Sequence, residues 1–135
     1  IENKSGIFLD DSIVRGTQLK DNVQDLHAAG IREIHMRIAC PPLIFPCEFL
    51  NFSRSRTSLE LATRKAIFKL EGTEDVDYEK YADPESDEYQ RMVEQIRVDL
   101  DLTTLKFQRL DDLVEAIGLP KEKLCTHCWD NSSYC

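Results

Sequence analysis

The sequence has no apolar run that approaches the roughly 20 residues a membrane-spanning helix requires, which argues against an integral membrane protein. It also has no apolar stretch near its start of the kind that a secretory signal contains. Nor does it begin with methionine, and Ile1 lies only a few residues before an apolar run. We therefore expect a piece of a longer cytoplasmic protein.

Basic residues are few, with 17 Lys and Arg against 25 Asp and Glu, so the formal net charge is −8. Because phosphate backbones are bound by basic surfaces, this balance argues against nucleic acid as the main partner. Much of the acidic charge lies in Glu71–Glu88, which we interpret as a solvated surface loop. The 135 residues fit one globular domain.

A paired set of cysteines is also missing, since the chain has five. The odd count argues against a secreted disulfide framework. Cys125 and Cys128 form a C-x2-C motif, which is typical of a metal site or a redox pair. We expect Cys40 to pack as a small apolar residue at a strand end, and Cys135 to be free.

The apolar pattern near the start predicts a β-α-β unit. Gly6–Leu9 is a short apolar run and predicts a buried strand. A helix is predicted over Thr17–Ala29, with Thr17 as its cap. Alternation of apolar and polar residues over Ile31–Ala39 predicts a second strand with one wetter face. Such a unit favours a parallel sheet with a right-handed crossover.

Further helices are predicted downstream. Thr57–Glu60 matches a capping box ahead of a helix that ends at Gly72. Thr73–Ala82 is interpreted as an acidic connector, and Asp83-Pro84 is predicted to open the next helix. The remaining pattern predicts a short extended segment and a last short helix, Leu105–Phe107 and Leu110–Ile117.

The turn after the first predicted strand is the main candidate site, with the sequence Leu9-Asp10-Asp11-Ser12-Ile13-Val14-Arg15-Gly16-Thr17. Backbone N–H groups at such a turn and helix start favour a phosphate dianion, and Gly16 permits close backbone approach. Two adjacent carboxylates suit neighbouring sugar hydroxyls or a magnesium ion. The segment therefore predicts a sugar-phosphate site, the alternative being an ordinary strand-to-helix turn with solvated aspartates.

This segment resembles, nearly residue for residue, the 5-phosphoribosyl-1-pyrophosphate (PRPP) loop of glutamine amidophosphoribosyltransferases. The resemblance continues at Arg37-Ile38, Pro41-Pro42, Phe45-Pro46-Cys47, Leu105-Lys106-Phe107, Leu110–Gly118 and Cys125-Thr126-His127-Cys128. It implies an α/β fold, part of a type I phosphoribosyltransferase domain with a Rossmann-like parallel sheet and C-terminal helices. Residues 1–40 would be the β-α-β unit with the PRPP loop, and residues 41–135 the helical, cysteine-bearing C-terminal region.

The resemblance also implies roles for the loop residues. Asp10 and Asp11 would bind the ribose hydroxyls of PRPP and its magnesium ion. The remaining residues would cradle the 5-phosphate: Ser12, Ile13, Val14, Arg15, Gly16 and Thr17. Arg15 and Thr17 would be the main side-chain contributors.

The activity implied is that of a pentosyltransferase that makes 5-phosphoribosylamine from PRPP and glutamine-derived ammonia, the first step of de novo purine biosynthesis. The implied partners are PRPP and purine nucleotides, and we expect a homo-oligomer. No catalytic residue is assigned in this chain. The family's glutaminase domain is absent from it, so the chain alone is expected to be inactive.

Some members of the family carry a [4Fe–4S] cluster held by four cysteines. By resemblance, Cys47, Cys125 and Cys128 match three of its ligands, and the fourth lies upstream of this chain. Thiolates suit such a cluster, but a reduced cysteine pair or a zinc site stays open as an alternative. His127 is interpreted as an exposed loop residue, with metal ligation as the alternative.

The segment Glu48–Arg56 departs from the family pattern and leaves open a divergent branch. Arg54 and Arg56 would either pair with phosphate or face solvent. Two other functions also stay open: a non-catalytic regulatory module that binds PRPP or nucleotides, and a small zinc-binding interaction domain built on Cys47, Cys125 and Cys128.

Overall fold

Three parallel strands form the sheet that carries the candidate site. The computed structural model describes residues 1–49 and 57–133. Its strands are β1 (Ser5–Asp10), β2 (Glu33–Ile38) and β3 (Thr104–Phe107), and they lie in the order β1-β2-β3. Both neighbouring pairs are parallel. The predicted β-α-β unit and the α/β class are therefore confirmed.

Helices connect and follow these strands. Across the two described ranges the α-helices are α1 (Thr17–Ala28), α2 (Ala62–Glu71), α3 (Tyr78–Ala82), α4 (Asp87–Asp99), α5 (Leu110–Ile117) and α6 (His127–Asp130). Single turns of 3-10 helix lie at Ser58–Glu60 and Lys121–Lys123. No helix in these ranges is both long enough and apolar enough to cross a membrane.

The hydrophobic core lies between one face of the sheet and the helices. β2 alternates as its sequence predicts, with Ile34, Met36 and Ile38 buried and the polar residues between them only partly buried. The helices supply buried side chains from α1, α2 and α4, among them Val23, Ile67, Met92 and Ile96. This packing fixes β2, and with it the turn at the end of β1.

The prediction that the first strand is buried is wrong for its outer face. Ile7 is 72% exposed and Leu9 is 84% exposed, whereas Phe8 between them packs against the core. A continuous apolar run is typical of a parallel strand covered on both faces. Among the described residues only one face of β1 is covered. The apolar run therefore predicts burial on both faces, whereas the described residues bury only the face that carries Phe8.

The acidic stretch is not one solvated loop, and Thr73–Ala82 is not a plain connector. α3 forms inside it, because the Asp77 carboxylate accepts a hydrogen bond from the Glu79 N–H and Tyr81 is buried. Sequence periodicity does not detect a helix this short, because one buried side chain cannot form a repeating pattern of apolar positions.

Two predicted helix starts are displaced. Ser86, rather than Asp83-Pro84, caps α4 by accepting a hydrogen bond from the Tyr89 N–H at 3.0 Å. Thr57 makes no side-chain cap, and the segment predicted as a capping box forms the 3-10 turn, so that α2 begins at Ala62. The predictions for Arg54, Arg56 and Cys135 fall outside the described residues.

Candidate functional site: the turn between β1 and α1

The turn between β1 and α1 is anchored to the interior at its centre. The Ile13 side chain is buried in the core. The next residue, Val14, accepts a hydrogen bond through its carbonyl from the Ala62 N–H at 2.8 Å. Beyond them, the Gly16 carbonyl accepts from the Lys20 N–H at 3.0 Å as α1 begins. The turn is therefore held to the sheet, to α1 and to the start of α2.

Glycine is required at position 16. Gly16 has a φ of +75°, in the left-handed region that side chains with a Cβ disfavour. A Cβ there would lie 3.3 Å from Cδ2 of Leu100 and 3.6 Å from the Cβ of Ala62. Gly16 occupies the N-cap, so Thr17 is the first residue of α1 rather than its cap.

An open cavity of about 620 Å³ lies over this turn and the N-terminus of α1. The residues that line it are Asp10, Ser12, Ile13, Val14, Arg15, Gly16, Thr17, Gln18, Leu19 and Asn22. Its volume falls within the range of about 300–1,000 Å³ that small-molecule sites occupy. The first turn of α1 carries no acidic side chain of its own, and the positive end of its helix dipole faces this space.

The two adjacent aspartates face different cavities. Asp10 lines the cavity over the turn, whereas Asp11 lines a neighbouring one, and Ser12 lines both. The Asp11 N–H donates to Oδ1 of Asp10 at 2.9 Å, and the Ser12 hydroxyl donates to Oδ1 of Asp11 at 3.2 Å. These bonds hold the two carboxylates at the junction of the cavities.

Arg15 forms an ion pair with Glu60, a residue for which the sequence predicts a different role. Its Nη2 lies 3.3 Å from Oε2 of Glu60, and the two side chains are 51% and 38% exposed. The sequence pattern assigned Glu60 to a capping box, and no local signal could have linked it to Arg15. The pairing arises because Ala62 binds the backbone of Val14.

The neighbouring cavity brings four of the cysteines together. It has a volume of about 970 Å³ and is lined by Cys40, Cys47, Cys125 and Cys128, together with His127 and Trp129. Burial raises the pKa of the Cys40 thiol to about 11, and the carboxylates of Asp11 and Asp10 add to the rise. Cys40 thus packs as a partly buried, neutral thiol, as its sequence position predicts.

Contacts between α6 and the loop before residue 50 bring Cys47 towards the C-x2-C motif. The Ile44 and Phe45 N–H groups donate to the Cys128 carbonyl at 2.8 and 3.1 Å. Nε2 of His127 lies 3.2 Å from the Pro46 carbonyl, and its ring packs on Phe45. His127 is thus half-buried rather than an exposed loop residue, because it joins these two segments.

The four cysteines line one cavity, but their side chains do not converge on a single position where a metal ion could bind. Cys47 is buried, whereas Cys125 is exposed. In the part of the chain that the structure describes, no group of three or more His, Cys, Asp or Glu residues lies close enough to hold a metal ion. The three predicted ligands therefore share a cavity, but the described residues do not bring them close enough together to form a metal site.

The three-stranded parallel sheet with its helices agrees with a type I phosphoribosyltransferase fold, and comparison with known proteins makes the relationship specific. No family model matches the chain. It is 32% identical over 130 residues to the amidophosphoribosyltransferase of Methanothermobacter thermautotrophicus, covering 96% of this chain and 22% of that protein. It is 30% identical over 128 residues to that of Methanocaldococcus jannaschii, covering 95% and 21%.

A solved structure agrees with these sequences. The glutamine PRPP amidotransferase from B. subtilis, complexed with ADP and GMP, matches with a TM-score of 0.65 and 26% identity. The match covers 98% of this chain and 24% of that one. The chain therefore belongs to the amidophosphoribosyltransferase family, and it spans about a fifth of the length of the relatives it matches.

Substitution of Gly16 should separate backbone strain from damage to the site. Gly16→Ala and Gly118→Ala both place a Cβ at a φ of +75°, but only the first meets neighbouring atoms. Each should cost about 1–2 kcal/mol of folding free energy from strain alone. Only Gly16→Ala should also weaken binding of ribose 5-phosphate, by about tenfold or more, because it shifts the turn. Calorimetric titration of the intact protein measures the affinity of each variant for ribose 5-phosphate. Equal affinity in both variants would contradict the predicted sugar-phosphate site at the turn.

Proposed function

We propose that this chain is the PRPP-binding part of an amidophosphoribosyltransferase that makes 5-phosphoribosylamine from PRPP and glutamine-derived ammonia. The observation that carries the proposal is the open cavity at the start of α1, bounded by Asp10 and by the turn over residues 12–17. The names of the matching relatives support the same activity. In this proposal the chain is the C-terminal portion of the phosphoribosyltransferase domain, with residues 1–40 carrying the loop and 41–135 the helical, cysteine-bearing region.

The 5-phosphate would bind at the turn. Its oxygens would accept hydrogen bonds from the backbone N–H groups of residues 12–17, with the α1 dipole favouring the negative charge. Thr17 offers a hydroxyl and Arg15 a guanidinium on the wall of the same cavity. A guanidinium suits this role because its planar set of donors matches phosphate oxygens.

Asp10 and Asp11 would bind the ribose and the magnesium ion of PRPP. Their carboxylates are exposed at the junction of the two cavities, so they are open to ligands. Oxygen donors of this kind fit Mg²⁺, which is usually held by one or two carboxylates together with substrate phosphates. When bound, the ion would neutralise charge on the departing pyrophosphate.

The contribution of this chain to the reaction would be positioning. Ammonia attacks the anomeric carbon of the ribose, the bond to pyrophosphate breaks, and pyrophosphate leaves with the bonding electron pair. The turn would hold the phosphate while Asp10 and Asp11 hold the ribose hydroxyls, which fixes the anomeric carbon for attack. No general base is assigned within this chain.

Purine nucleotides would bind through the same phosphate chemistry. The B. subtilis enzyme was solved with ADP and GMP. A nucleoside monophosphate carries a 5′-phosphate on ribose, as PRPP does, so we infer that it occupies the same turn. The homo-oligomer and the cytoplasmic location remain predictions.

Removing both adjacent carboxylates should abolish turnover. In the intact enzyme, Asp10→Asn with Asp11→Asn should lower kcat/KM for PRPP by at least about a hundredfold, since the ribose and magnesium contacts are lost. A second adjacent pair, Asp111 and Asp112 in the first turn of α5, provides the matched control. Pyrophosphate release measures both variants.

Undiminished turnover in the Asp10 and Asp11 double variant would contradict the assignment of these residues to PRPP binding. The regulatory-module alternative makes a different prediction for the unaltered protein. It expects nucleotides to raise the melting temperature without any release of pyrophosphate, because the fold would bind the ligand and perform no chemistry.

We further propose that Cys47, Cys125 and Cys128 supply three ligands of a [4Fe–4S] cluster whose fourth ligand comes from outside this chain. The donor chemistry fits, since thiolates hold such clusters. The three residues line one cavity, and the α6 contacts hold that arrangement. The described residues do not bring three such ligands within metal-binding distance of one another, so the proposal rests on the shared cavity and on the donor chemistry.

Metal analysis distinguishes the cluster from zinc. The intact protein purified without oxygen should contain iron and acid-labile sulfide. Cys125→Ser should lose most of both, whereas Cys40→Ser should keep them, because Cys40 is a partly buried thiol at a strand end. Zinc without sulfide in the unaltered protein would contradict the cluster and support the zinc-binding interaction domain.

A further inference from the structure

Glu60 is held beside the turn by the backbone rather than by its own side chain. The 3-10 turn Ser58–Glu60 is closed by hydrogen bonds from the Glu60 and Leu61 N–H groups. Two residues later, the Ala62 N–H donates to the Val14 carbonyl at 2.8 Å. This backbone contact holds the segment that carries Glu60 beside the segment that carries Arg15.

The contact between Glu60 and Arg15 is a single ion pair. Nη2 of Arg15 lies 3.3 Å from Oε2 of Glu60, and both side chains are substantially exposed. Exposed pairs of this kind are weak. A phosphate dianion attracts a guanidinium more strongly than a single carboxylate contact does, because it carries more charge and can accept two parallel hydrogen bonds where Glu60 makes one contact. Arg15 can therefore exchange one anion for the other.

Charge around the turn makes this exchange important. Among the described residues that line the cavity over the turn, Arg15 carries the one basic side chain; Asp10 places a carboxylate on the same wall, and Glu60 pairs with Arg15. Arg15 lines the cavity over the turn, whereas Glu60 is not among the described residues that line it. Glu60 can therefore influence binding in the cavity through its contact with Arg15, and not by touching a ligand there.

We propose that Glu60 competes with the phosphate of the ligand for Arg15, and so sets the affinity of the turn for phosphorylated ligands. The proposal rests on the function proposed above. Arg15 paired with Glu60 is a resting arrangement, and the apparent dissociation constant equals the intrinsic one divided by the fraction of molecules in which Arg15 has left Glu60. Glu60 is a positioning residue, because it acts through Arg15.

Neutralising Glu60 should tighten binding. In the intact enzyme, Glu60→Gln should lower the KM for PRPP and the dissociation constant of ribose 5-phosphate by about two- to fivefold, the range that a weak exposed ion pair allows. The kcat should stay within about twofold. The gain should shrink at high ionic strength, since the pair is exposed to screening.

Three further variants isolate the charge effect. Glu60→Asp keeps the charge and should bind like the unaltered enzyme. Glu74 accepts a hydrogen bond from the Ser58 hydroxyl at 3.2 Å, so Glu74→Gln disturbs the same 3-10 turn without touching Arg15 and should leave the affinity unchanged. Arg15→Gln should weaken binding, and adding Glu60→Gln to it should then change nothing.

The outcomes separate this inference from the proposed function. If Glu60→Gln weakens binding or leaves it unchanged while Arg15→Gln weakens it, the competition is overturned and the phosphate site stands. If Arg15→Gln has no effect on either ligand, the competition and the assignment of Arg15 to the phosphate fail together. Tighter binding that persists in the Arg15→Gln background would also overturn the competition.

Discussion

The hydrogen bond from the Ala62 N–H to the Val14 carbonyl joins the start of α2 to the turn after β1, and the candidate site depends on it. Val14 follows Ile13, whose side chain is buried in the core, so the middle of the turn is fixed on two sides. The residues around it are left pointing outward into an open cavity. A rigid turn of this kind suits phosphate binding, because its N–H groups need no reorganisation when the ligand arrives.

The turn after β1 also adjoins two cavities, the one over the turn itself and the neighbouring one lined by the cysteines. Ser12 lines both, and the carboxylate of Asp11 contributes to the raised pKa of the Cys40 thiol on the far side. The Cys40 thiol, which lines the same cavity as the C-x2-C motif, therefore lies within electrostatic reach of Asp10 and Asp11. Under the proposal made above, a cluster at Cys47, Cys125 and Cys128 would stiffen this wall of the cavity.

Features that depend on neighbouring residues could be predicted from the sequence, and features that depend on distant partners could not. The turn sequence, the alternation of β2 and the short helix α5 are local patterns, and the structure has all three. The exposure of Ile7 and Leu9 depends on what covers the sheet, which the strand itself does not encode. Glu60 shows this dependence most clearly. Its local sequence predicts a capping box, and only the folded chain brings its carboxylate to Arg15.

We propose above all that the turn between β1 and α1 binds the 5-phosphate of PRPP through its backbone. Amide hydrogen exchange of the intact enzyme, with and without PRPP and magnesium, tests this claim most directly because it reports on those N–H groups. We predict that saturating ligand slows exchange at residues 12–17, with little change in the exposed helix α5. Unchanged exchange at residues 12–17 under conditions where PRPP is bound and turned over would contradict the account.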